Sequence, residues 1–168
     1  MLLAGTPDAR GRLEKAAIEL EEAIVDTIAD APEGAAPLET VAAAFEAAGA
    51  ALQSRRDLGY VRARHALVDA HAELRERELI KLASLSAAVT KALPARGVFE
   101  PAASLAAEAG IAIFKVGFER RIGEKRPQGL AAHIRAAVDA LKVIAADTSA
   151  SPSRRAAKRS PSRSGRSK

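Results

Sequence analysis

The sequence predicts an all-α domain, a bundle of about six helices, and three observations carry that expectation. Alanine supplies 41 of the 168 residues, and alanine is the strongest helix former. Aromatic side chains make up only 3% of the chain, and with few β-branched residues there is little material for a sheet. Apolar residues recur in steps of three and four, the spacing of one helical face. The length fits a single domain with a core of its own.

The first helix is expected after Thr6-Pro7, with Asp8 as its N-cap. Leu13, Ala17, Leu20, Ile24 and Ile28 form its stripe, and Ala31-Pro32-Glu33-Gly34 ends it. Pro37 stands where a first-turn proline belongs, ahead of Leu38, Val41, Phe45, Ala48 and Leu52. A third, shorter helix is expected from about Asp57 to Val68, through Leu58, Val61, His65 and Val68. The pattern loses phase at Asp69-Ala70-His71. A fourth helix carries Leu74, Leu79, Leu82, Leu85, Val89 and Leu93 and stops at Pro94 and Gly97. Its charged stretch from Glu73 to Glu78 reads as a solvated face.

The fifth helix is expected over 101–122 and is apolar on nearly every side, through Ile111, Ile113, Phe114, Val116 and Phe118. Such a helix must be covered all round, by its own domain or by a partner. The sixth, over 130–146, shows Leu130, Ile134, Ala137, Val138, Leu141 and Ile144. Two such helices suit either a dimer interface or the core of a monomeric bundle, and the pattern favours neither.

Charge divides the chain. The formal net charge is +5, yet residues 148–168 hold seven basic side chains and no acidic one, leaving 19 basic against 21 acidic in the rest. That Ser/Arg/Pro-rich tail is expected to be disordered. Its Arg154, Arg155, Lys158, Arg159, Arg163 and Arg166 would attract nucleic-acid phosphates without reading sequence, or act only as a solubilising extension.

No cysteine is present, which removes disulfides, thiolate nucleophiles and Cys-ligated metals. The N-terminus has no signal-peptide pattern, and the longest apolar region, from Ala102 to Phe118, is interrupted by Ser104, Glu108 and Lys115. A cytoplasmic protein without a membrane span is expected. His65, His71 and His133 lack metal-ligand spacing, and no phosphate loop, nucleophile elbow or His-Glu-x-x-His motif occurs. No metal, cofactor or enzymatic activity is expected. A helical domain with few internal polar groups suits an apolar ligand, and Phe45, Tyr60, His65, Leu82, Leu85 and Phe114 are the candidate lining.

From Glu21 to Ala146 the order of segments resembles the C-terminal domain of tetracycline-repressor (TetR) family transcription regulators. The pieces are Ser54-Arg55-Arg56-Asp57, Ala72-Glu73-Leu74-Arg75-Glu76-Arg77-Glu78, Ala95-Arg96-Gly97-Val98 and the stretch from Ala106 to Arg120. Residues 12–20 are similar to the opening helix of that family's DNA-binding domain, but Glu21 stands where a Phe is usual and no helix-turn-helix follows. Three segments result: a remnant over 1–20 fused in helical phase, a ligand-binding and dimerisation domain over 21–147, and the tail over 148–168. The resemblance implies a homodimer through the last two helices, with Ile111, Val116, Ile134, Val138 and Leu141 at the interface. It also implies an apolar effector among the central helices. Without a recognition helix, specific DNA reading is not expected, and pairing with a full-length paralogous regulator becomes a route to function.

Overall fold

The computed structural model describes residues 7–55, 57–126 and 128–149, and these form six α-helices with no strand among them. They are α1 (Pro7–Ala29), α2 (Pro37–Arg55), α3 (Leu58–Ala70), α4 (Ala72–Ala92), α5 (Ala102–Gly123) and α6 (Leu130–Ser149). The all-α class and the helix count follow the sequence expectation. The tail from residue 150 onward, with all its candidate phosphate-binding cations, lies outside the described residues.

α1 begins at Pro7, so Asp8 sits inside the first turn and is not the cap. The helix runs unbroken past residue 20, so the boundary between the two proposed segments leaves no mark on its backbone. Ile24 and Ile28 are buried and Leu20 packs beside them. Arg96 clamps the chain just past the end of α1. Its guanidinium reaches from the 3-10 turn Leu93–Arg96 to the carbonyls of Ala31 and Pro32, the latter at 2.7 Å. Gly97, at φ 76°, closes that turn in the left-handed region that glycine adopts without strain.

α2 and α5 cross at close range, in a core built from Val41, Phe45, Ala103, Ala107 and Ile113. Gly110 makes the approach possible, because a Cβ there would meet Phe45 Cε2 at 2.7 Å. Gly117 does the same for α6, where a Cβ would stand 3.0 Å from the backbone nitrogen of Ile134. α6 is capped from outside its own sequence: Leu130 N donates to Gln53 Oε1 of α2 at 2.8 Å.

α3 is the outlier. Asp57 caps it, its carboxylate accepting from Gly59 N at 2.8 Å and Tyr60 N at 3.2 Å. Yet none of its residues is buried. The loss of phase noticed at residues 69–71 is a physical break, since His71 is extended at φ −126°, ψ 116° and separates α3 from α4.

Candidate functional site

A cavity of about 510 Å³ opens between α1, α3, α4 and α5, with α2 at its floor. That volume lies in the range of small-molecule sites. Five of the six expected lining residues meet there: Phe45, His65, Leu82, Leu85 and Phe114. Tyr60 does not line it and is 55% exposed. The reason is angular. Val61, His65 and Val68 share the inward face of α3, and Tyr60 lies one residue, about 100°, off that stripe.

Aromatic rings form a continuous wall. Phe45 and Phe114 have centroids 5.8 Å apart, Phe114 and Phe118 stack at 6.2 Å, and His65 meets Phe118 edge-on at 5.6 Å. These separations are those of attractive ring pairs. Three of the rings come from α5 and α2, whose tight crossing at Gly110 places Phe45 under Phe114.

The rim is charged and mostly paired. Arg64 Nη2 donates to Glu78 Oε2 at 2.8 Å, and Lys81 Nζ stands 4.0 Å from the same carboxylate oxygen. His65 Nε2 lies 3.3 Å from Asp69 Oδ2, and Arg75 donates to the Asp69 carbonyl. The stretch 73–78 is largely exposed, as a solvated face should be, and Arg75 and Glu78 of it also line the cavity. Sequence reasoning also missed Phe118 and Arg121. Phe114, Phe118 and Arg121 step by four and three, so an arginine continues an apolar stripe, and that was the available signal. Arg121 is only 7% exposed, and no partner among the described residues reaches its Nε.

The expected dimer residues divide. Ile111, Ile134 and Val138 are buried inside this chain, so they cannot face a partner without opening the core. Leu141 is half-buried against that core. Val116 is 43% exposed and remains on the outside. The pattern could not separate these cases because apolar residues suit a core and an interface alike.

His133 is buried, with Nε2 3.5 Å from Glu124 Oε2 and without a hydrogen bond. Among the described residues no cluster of three or more His, Asp or Glu side chains is placed to hold a metal ion. None of the described helices is long and apolar enough to cross a membrane. No protein-family model matches the chain, and a search among curated proteins returns no relative.

Proposed function

We propose that this chain is a ligand-sensing, dimerising helical domain of TetR type, which takes an apolar small molecule between α1, α3, α4 and α5. The cavity carries the reading: residues singled out for a pocket from the sequence surround a real opening, walled by Phe45, Phe114 and Phe118. An apolar molecule of matching size would gain roughly 25 cal/mol for each Å² of apolar surface removed from water.

A second observation supports pairing. Leu105, Ala112 and Val116 on α5 lie exposed, and so do Ala132, Ala136, Ala140 and Val143 on α6. Leu105 is 68% and Val143 60% exposed, and both lie among small residues that permit close approach of a second helix pair. This outer face replaces the buried residues as the homodimer surface. Regulation then works through partners: the domain pairs with a second copy, or with a full-length paralogue that it draws away from DNA.

The test uses a neutral apolar fluorophore, N-phenyl-1-naphthylamine, together with light scattering. The expected result is saturable binding at one site per chain, blocked by Leu82→Trp, and a dimer that Val116→Glu dissociates. Absence of saturable binding would overturn the sensing role, and a monomer at micromolar concentration would overturn the pairing. Binding to duplex DNA across a salt series, with the whole chain and with a version ending at Asp147, separates body from tail. Sequence preference that survives tail removal would show that the body itself reads DNA.

A further inference from the structure

Several charged side chains line the cavity, and among the described ones Arg121 alone is buried. Arg121 is 7% exposed, its Nε is buried without a hydrogen-bond partner, and its guanidinium makes no ion pair among the described residues. Burying an unpaired cation is costly, because desolvation is not offset by any neighbouring charge. Such a group persists where something outside the chain completes it. The cations at the mouth differ in this respect, since Arg64 is committed to Glu78 and Arg75 to the Asp69 carbonyl.

Arg121 lines the cavity from the same face of α5 as the aromatic wall. Arg121 and Phe114 both line the cavity and lie seven residues apart on α5, roughly 10 Å along the helix axis. Phe118 stands between them on the same face. The surface thus offers an apolar track that ends at a fixed, planar donor, and guanidinium matches carboxylate or phosphate oxygens in two-point geometry.

We infer that the cavity binds an amphiphilic anion, an apolar body over Phe114 and Phe118 with a single carboxylate or phosphate group on Arg121. This inference rests on the sensing role given above to the same cavity, and it adds the chemical class of the ligand. Glu119 lines the cavity too, but it is exposed to solvent on the next face of α5, where water screens its repulsion.

The experiment compares decanoate, decyl phosphate and decanol by calorimetry, each below its micelle concentration, on the whole chain. The expected result is that one anion binds at least tenfold tighter than decanol, and which anion does so identifies the head group. Arg121→Met should abolish that preference while leaving decanol affinity unchanged, and Arg121→Lys should restore part of it. Arg121→Met should also raise the melting temperature of the ligand-free chain, which a structural arginine would not do. Equal affinity for all three molecules would overturn the anion inference and leave the apolar site standing. Failure of all three to bind would overturn both.

Discussion

Ser86 donates its hydroxyl hydrogen to Glu108 Oε1 at 2.6 Å, a bond from α4 to α5 that starts from a buried serine. The acceptor is a carboxylate, which strengthens the bond, while its exposed position leaves Glu108 able to turn to water if the hydroxyl is lost. Ser86→Ala is therefore expected to cost about 1 kcal/mol. Thermal unfolding should register this as a fall of about 2–4 °C. No change would mean that water replaces the contact at no cost.

Two glycines in α5 respond to alanine with opposite signs. At Gly110 a Cβ meets Phe45 at 2.7 Å, and overpacking of about 1–3 kcal/mol outweighs the helix-propensity gain of about 1 kcal/mol. Gly110→Ala should destabilise the chain and, by displacing Phe45, weaken fluorophore binding. At Gly123 nothing lies within 4 Å, so Gly123→Ala should stabilise by about 0.4–1 kcal/mol. Denaturant midpoints of the two variants give the comparison directly.

Surface ion pairs join α6 to α2, Arg135 with Glu46 and Lys142 with Glu39. The hydrogen bond to Glu39 raises Lys142 above its ordinary 10.5, and the one to Glu46 raises Arg135. A lysine whose folded value is the higher one adds stability below pH 10.5 and loses it as pH climbs through the raised value. Both cations are exposed, so the effect is small and screened by salt. Stability measured from pH 9 to 12 should fall less steeply in Glu39→Gln than in the native chain, and the two curves should converge at high salt.

Leu82 lines the cavity and is half-buried against the core. Leu82→Trp directs its added volume toward the cavity, so the melting temperature should change little while ligand binding is lost. A steep loss of stability would show that the space collapses in solution. Phe114→Ala is expected to act differently, because it removes part of the aromatic wall and destabilises by up to about 3–5 kcal/mol.

The legible parts of the fold are those written in a single period. Leu38, Val41, Phe45, Ala48 and Leu52 announce α2, and Pro37 marks its start, because local spacing alone decides them. α5 resisted the same treatment. Its buried face is made largely of Ala103, Ala106, Ala107, Gly110 and Gly117, which register weakly on any apolar scale, so Ile111 and Val116 looked equivalent although one is buried and the other exposed. Contacts between distant segments left no local trace: the Gln53 cap on α6 spans 77 residues and the Arg96 clamp on α1 spans 64 to 67. The cavity was half legible. Its apolar lining came from stripes that were recognised, whereas Arg121 needed a question rarely put to a stripe, namely which member does not belong.

α3 covers the cavity without burying a single residue. Asp57 and His71 set its ends, and it is joined to its neighbours by Arg62, whose Nε donates to the Ile122 carbonyl at 2.9 Å, by Arg64 on Glu78, and by the edge contact of His65 with Phe118. Loss of these contacts would cost a few hydrogen bonds and one ring contact and leave the buried core between α2, α5 and α6 intact. Elements of that kind open at a fraction of the global unfolding free energy. Amide hydrogen exchange is accordingly expected to run faster in α3 than in α2, α5 and α6.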